Sequence, residues 1–572
     1  MDLVRRIYLY AMSAVAIGVL AYGLVALLTV VLHAIGLGGG VFLGGDADSD
    51  RRALSLAISL IGVSLPVWAI HWYLVERGLS GSGPPAERER TSALRAFYLA
   101  AIMAILLLVA AAAGATLIRF VIERLVPDLD SSYADPAAAL ATIVVAAAGW
   151  ALHAWTRLRD VARGELRGAA AWWPRLYRYG VAFVGLSFFV NGLGTLAGLL
   201  IDVVAGAGDV VSLDPFGNPN AYGFRFSQLA PDLLIGLAAW ASHAWASNRV
   251  AIGSGWHAAS ERASRLRLAY WPLIIGVAAI SVVARAAEGL APLFIKLLGG
   301  ELAGIANPNR ALAVALAGSA AAVAPWLVAW WLHRRWARTD ATASGEPGRA
   351  GFLDWLERHV AGAVGLAFGA VALGWIVGLA IDAALGGNRT TGDGWRLELG
   401  RYLALALLGV PLWIWNWSSL VAHRAAHPMD AGSPLRRTYL LLIVGVAILS
   451  TLGSLAVVLF RLVSTLLGTD LGGNGVSELS TPLGALLVAI AVVAYHGLQL
   501  RDDQAVRVAV APTTTDLTPA EPHDAAALPA TPVIATVARR SLVLTAPADA
   551  DIESTLAALR AALPEGQVLD EA

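Results

Sequence analysis

A chain of 572 residues with 58% hydrophobic and 14% charged residues, at mean hydropathy +0.66, lies outside soluble globular composition. Soluble domains carry about 25% charged residues. A formal net charge of zero excludes bulk attraction to nucleic acid, and the absence of cysteine excludes disulfides, thiolate metal sites and thiol nucleophiles. Apolar runs fall at about 7–35, 53–77, 95–126, 138–158, 174–205, 229–248, 266–298, 310–336, 353–385, 399–424, 437–468 and 481–500. Crossing a bilayer takes about 20 such residues. The runs therefore predict an all-α integral membrane protein of about twelve transmembrane helices. The first, Ile7 to Gly36, is too long for the apolar core of a signal peptide and lacks a cleavage site, so it is expected to stay as the first helix.

Most odd helices begin with arginine and an aromatic residue: Arg5-Arg6-Ile7-Tyr8, Arg95-Ala96-Phe97-Tyr98, Arg175-Leu176-Tyr177 and Arg437-Thr438-Tyr439. Helix seven spreads these over Arg265, Arg267 and Tyr270, and helix nine has Trp355 to His359 instead. Even helices end in a tryptophan/histidine stretch: Trp68/His71, Trp150/His153 and Trp240/His243, then Trp326 with Ala329, Trp413 with Asn416, and a worn copy at Tyr495-His496. Trp68 to Trp240 is 172 residues and Trp240 to Trp413 is 173, so four helices recur three times. An even number of helices per repeat keeps the orientation, which gives parallel repeats and argues against the inverted repeats of many alternating-access transporters. The expected units are 1–168, 169–345 and 346–501, six hairpins in all.

These features resemble a bacterial multi-pass membrane family, domain of unknown function 5671, in tandem copies over most of residues 1–500. The resemblance implies no activity.

Connections after even helices are arginine-rich (Arg157, Arg159, Arg163, Arg167), whereas those after odd helices lean acidic (Asp46, Asp48, Asp50; Asp128, Asp130, Asp135; Asp470, Glu478). Positive loops stay inside. Both termini are therefore expected in the cytoplasm, with the chain in the plasma membrane. After Leu500 the composition changes. Residues 502–533, rich in Pro, Thr and Ala, are expected to form a disordered linker, and 534–572 a short strand-helix segment able to meet a protein partner. Deleting 502–572 is expected to leave the membrane domain folded.

Two sets of residues could carry chemistry. His71, His153, His243 and His496 sit at equal depth on different helices and could ligate a metal or haem, although Ala329 and Asn416 replace them in two copies. The bland reading is an aromatic belt whose histidines reach headgroups or carbonyls. The second set is intramembrane charge. Helices one, five and nine carry His33, Asp202 and Asp382; helices three, seven and eleven carry Arg119, Arg285 and Arg461. Each lies within a few turns of a glycine expected to allow close helix contact: Gly23, Gly114, Gly192, Gly289, Gly374 and Gly453. A charge facing hydrocarbon costs at least ~3 kcal/mol, so these groups should pair or bind a ligand. Asp202 with Arg285 and Asp382 with Arg461 are the expected pairs, with Glu123 and Glu288 as same-helix alternatives for Arg119 and Arg285. As ligand sites, Asp202, Arg285, Glu288, Asp382, Arg461 and Arg119 would suit an anionic headgroup or small anion.

No phosphate-binding loop, His-Glu-x-x-His or Gly-x-Ser-x-Gly turn occurs. The expectation is a non-enzymatic protein, with no cofactor implied, that binds, transports or scaffolds a small or lipidic ligand. A haem- or quinone-linked redox subunit and a membrane-embedded lipid-modifying enzyme are the alternatives. The topology makes a direct prediction: reporter fusions at Gly164 and Gly345 read cytoplasm and one at Asp130 reads outside. An outside signal from Gly164 would overturn the helix count.

Overall fold

The computed structural model describes residues 3–37, 47–79, 84–126, 135–163, 168–204, 221–301, 308–345, 348–467 and 474–510. In lipid no water satisfies backbone groups, so an apolar segment of this length must close its hydrogen bonds internally, as a helix. Among the described residues the long helices are α1 (Leu3–Ala34), α2 (Ala47–Arg77), α4 (Ala93–Leu125), α5 (Pro136–Arg163), α6 (Ala169–Val204) and α7 (Ala221–Ile252). They continue with α9 (Arg265–Leu297), α10 (Pro308–Ser344), α11 (Arg349–Ala384), α12 (Gly394–Ala426), α13 (Pro434–Leu466) and α14 (Gly475–Val510). Each of the predicted apolar runs thus falls on one long helix. Eleven of these are long and apolar enough to cross a membrane; α7, as long as the others, is the one made more polar by Arg225, Gln228, Asp232, His243 and Asn248.

Between the second and third long helices of each repeat lies a short element: α3 (Pro84–Arg90), α8 (Trp256–Arg262), and a 3-10 turn at Pro428–Gly432. Ser92 starts α4 by accepting a hydrogen bond from the Arg95 backbone N–H at 3.2 Å, the usual N-cap arrangement.

Consecutive long helices pack as hairpins, and the first helix of each set also packs on the fourth: α1 on α5, α6 on α10, α11 on α14. Neighbouring sets meet where α4 touches α6 and α7, and where α9 touches α11 and α12. Backbones come closest at glycine. A Cβ on Gly185 would stand 2.6 Å from Trp240 N, and one on Gly236 2.6 Å from Phe189 N, so α6 and α7 run antiparallel in direct contact. Gly365 and Gly409 do the same for α11 and α12. Of the six glycines singled out by sequence, Gly23, Gly192, Gly289 and Gly374 face a neighbouring helix closely and Gly114 touches only the tip of Ile235, while Gly453 has open space around it.

The structure corrects one boundary. Helix α14 continues to Val510 instead of ending near residue 501, because Asp503 is buried and held by Arg436 and Arg424. Removing residues from 502 onward would strip that anchor from the bundle. The rest of the expected 502–533 linker, from 511 on, and the strand-helix segment at 534–572 lie outside the described residues.

The glycine contacts make a contrast that can be measured. Gly409→Leu, whose side chain would meet the backbone of Gly369, should cost ~1–3 kcal/mol or more through overpacking. Gly453→Leu should be near neutral. Thermal unfolding in detergent reads both; equal melting temperatures would refute the packing argument.

Candidate functional site

One constellation occurs in all three repeats. Arg95, Arg267 and Arg436, at the first turn of α4, α9 and α13, are only 1–2% exposed. Each directs Nε at Oδ2 of an aspartate on the fourth long helix of its set: Asp160 at 2.6 Å, Asp340 at 2.5 Å and Asp503 at 2.6 Å. A further guanidinium nitrogen donates to Glu76 (2.9 Å), Asn248 (2.9 Å) or Gln499 (3.4 Å). The flat faces lie over Trp72, Trp271 and Trp417. Where the second helix offers Ala244 in place of Trp72 or Trp417, Trp271 on α9 itself supplies the ring. A guanidinium stacks on an aromatic face as well as it pairs with a carboxylate, which an ammonium does less readily.

Three residues after each arginine comes Tyr98, Tyr270 or Tyr439, and seven before each aspartate comes His153, His333 or His496. Seven residues are two helical turns, so histidine and aspartate share a face. The Tyr98 hydroxyl meets His153 Nε2 at 3.5 Å, and that of Tyr270 meets His333 Nε2 at 3.4 Å. Each histidine's Nδ1 bonds the carbonyl four residues back, at 2.7 Å, 2.7 Å and 3.0 Å. His333 corrects the sequence reading, in which Ala329 stood where the histidine was expected. Trp326 and Trp330 lie one turn apart on one helix face, and the repeat aligns on Trp330-x-x-His333. Asn416 does replace a histidine, and its amide donates to Leu412 O at 2.8 Å in the same way. The other candidate ligands are held similarly: His71 by Val67 O and the Tyr8 hydroxyl, His243 by Ala239 O and the Tyr177 hydroxyl. His71, His153 and His243 are thus each held between a backbone carbonyl and a tyrosine hydroxyl.

Six residues before each arginine is an acid on the short element. Glu89 accepts from Tyr10 and pairs with Arg6 at 2.6 Å; Glu261 accepts from Tyr179 at 2.6 Å and pairs with Arg175 and Arg178. Burial alone would push the Glu261 carboxyl up, but Arg178, the Tyr179 hydroxyl and Arg175 outweigh it and hold it below the usual carboxylate range.

The intramembrane charges lie toward the opposite ends of the same helices. A cavity of about 430 Å³ between α6, α7, α9 and α10 brings together Asp202, Arg225, Arg285 and Glu288, with Asn191 and Ser319. Arg285 takes Glu288 of its own helix, at 3.1 Å, in preference to Asp202. The pair expected in the third repeat does not form among the described residues. Arg461 pairs with Glu478, which α14 sets beside it across the α13–α14 hairpin. Asp382, 0% exposed, turns back on the end of α11 and accepts from Thr390 N at 3.3 Å. Arg119 lies with Asp232 at one end of a second cavity, about 610 Å³, between α4, α6 and α7. His33 pairs with Asp135 at 3.0 Å.

The fold and its repeated site define an all-helical membrane protein built from tandem copies of one domain. The chain belongs to the family described as a domain of unknown function (DUF5671), which matches residues 6–125, 175–328 and 356–491. No curated protein and no solved structure matches it.

Breaking one member of a buried pair costs ~3–5 kcal/mol, because the other charge is left uncompensated. Asp340→Ala should therefore destabilise by about that much, and adding Arg267→Leu should restore part of the loss. Unfolding of detergent-solubilised protein measures both, and strict additivity would show that the two residues do not interact.

Proposed function

We propose that this protein is a non-enzymatic plasma-membrane protein, both termini cytoplasmic, that holds a lipidic amphiphile between its first two repeats. The observation that carries this reading is the 610 Å³ cavity. Ligand sites span ~300–1,000 Å³ and are mostly apolar with a few placed polar groups. This one runs along α4 from Phe97 to Arg119, lined by Ala104, Leu108 and Ala111 on the way. At 1.5 Å per residue that is roughly 33 Å, close to the ~30 Å hydrocarbon thickness. An acyl chain fits the apolar length, and Arg119 with Asp232 offers a headgroup one partner of each sign.

The repeats themselves support the groove as more than loose packing. Arg119 lies 24 residues after Arg95, and Ala291 lies 24 after Arg267. At the second junction Ala287, Ala291 and Ala404 pack together and Gly400 meets the α9 backbone directly, so α9 and α12 close. At the first junction an arginine takes the place of Ala291, and the helices stand apart around the cavity. A second reading, favoured by the two cations and two carboxylates of the 430 Å³ cavity, is that the middle repeat holds a small zwitterionic solute.

Native mass spectrometry of the full chain released from mild detergent tests the lipid reading. Wild type should retain about one lipid per chain. Ala111→Trp, which fills the groove, should lose it, and Arg119→Leu should alter which headgroups are kept. Equal retention by wild type and Ala111→Trp would sink the proposal.

A further inference from the structure

The third repeat departs from the other two at the acid that precedes its buried arginine. Glu89 and Glu261 are held by tyrosine and arginine from the first helix of their sets. In the third set that helix carries His359 where Tyr10 and Tyr179 stand, and Trp355 where Arg6 and Arg175 stand. Asp430 instead meets two histidines at the end of α12. His423 Nε2 lies 3.0 Å from Asp430 Oδ2, and the rings of His423 and His427 stack with centroids 4.5 Å apart. One ligand atom from each of the three lies within 4.8 Å of the others. These histidines belong to this repeat alone. His423 and His427 follow Asn416 by 7 and 11 residues, where Val250 and Ser254 follow His243, and Gly78 and Ser82 follow His71.

We propose that His423, His427 and Asp430 form a binding site for a divalent transition-metal ion of the zinc class, with water completing the coordination. Histidines at i and i+4 on a helix present their rings on one side, and a neighbouring turn supplies the carboxylate, a donor set that suits zinc. Ligand atoms around a tetrahedral zinc stand about 3.3 Å apart for bonds of roughly 2.0–2.1 Å. The 3.0 Å separation of His423 and Asp430 is already near this value. The His427 Nδ1–H donates to His423 O at 3.1 Å, which fixes the tautomer and leaves Nε2 as the lone pair. Pro428 opens the 3-10 turn, and the Asp430 N–H donates to His427 O at 3.0 Å, so the carboxylate is held on a short backbone path. The nearest arginine in sequence, Arg424, turns its charge onto Asp503 and away from the ion. His423 is half exposed and Asp430 35% exposed, so an ion reaches the site from solution.

The experiment uses the full chain in detergent, metal-depleted and free of any histidine tag. Zinc is titrated by calorimetry, and cobalt absorption reports the ligand field. Wild type should bind one equivalent with Kd ~10 µM or tighter. His423→Ala, His427→Gln and Asp430→Asn should each weaken binding at least ~10-fold, as loss of one of three protein ligands does. His257→Ala, which removes an exposed histidine on α8, should bind as wild type does. Unchanged melting temperatures in the absence of metal would confirm that the variants are folded. No saturable zinc binding by wild type, or the same affinity in all three ligand variants, would overturn the site.

Discussion

An arginine buried in a membrane bundle is stable only where its charge is met, and this chain meets the requirement three times with one atom pair. Nε of Arg95, Arg267 and Arg436 faces Oδ2 of Asp160, Asp340 and Asp503 across a gap of about one hydrogen bond. The arginine starts the third long helix of its set and the aspartate lies on the fourth. The pair therefore fixes the register of that hairpin, while in the first two sets the acid six residues earlier ties the short element to the first helix. Burial alone penalises both charges, so the gain lies in geometry more than in net stability. Hydrocarbon gives little drive for apolar helices to associate with one another. Polar contacts of this kind, with glycine-mediated backbone approach, then decide which helices meet.

The repeats keep this core and change what surrounds it. Trp150 donates to the Tyr177 hydroxyl across the first junction, and Trp330 donates to Glu357 at the corresponding position of the second. Both junctions are pinned at that end of the helices. Toward the other end they diverge: alanines close the second, whereas Arg119, Pro231 and Asp232 face the opening in the first. A scaffold that is held firmly at one end can vary at the other without losing its register.

How much of this was legible follows from which signals survive in one sequence. The long helices were, because twenty or more apolar residues leave the backbone no alternative in lipid. Of the buried arginines, Arg95 and Arg267 are visible in the arginine-aromatic start of an odd helix, whereas in the third set that pattern picks out Arg437 beside the buried Arg436. Their partners were hidden. Asp160, Asp340 and Asp503 fall just past the apolar stretch, where an acid looks like loop. Two spacings would have found the site, Arg-x-x-Tyr and His with Asp seven residues later, each present in all three copies of the site and once more elsewhere, at Arg5/Tyr8 and His423/Asp430. Aligning the fourth copy on Trp326 instead of Trp330 concealed the second of them. The pairing of Asp382 with Arg461 failed because depth along a helix says nothing about which side a residue faces.

Helix α7 shows where local rules give way to something else. It is the long helix whose composition is least suited to lipid, and it contributes Arg225 and Leu229 to one cavity and Pro231 and Asp232 to the other. Of its charged residues, Arg225 and Asp232 thus line the two concave surfaces of the bundle. The cost is carried by α6, whose Gly185 lets the α7 backbone approach so closely that a methyl group would not fit between them. A helix that enters the membrane only with its hairpin partner can hold charges that a self-sufficient span could not. Local conflict of this kind concentrates at sites that do something other than hold the fold together. The least apolar helix therefore marks the part of the chain where lining the two cavities and crossing the membrane compete for the same residues.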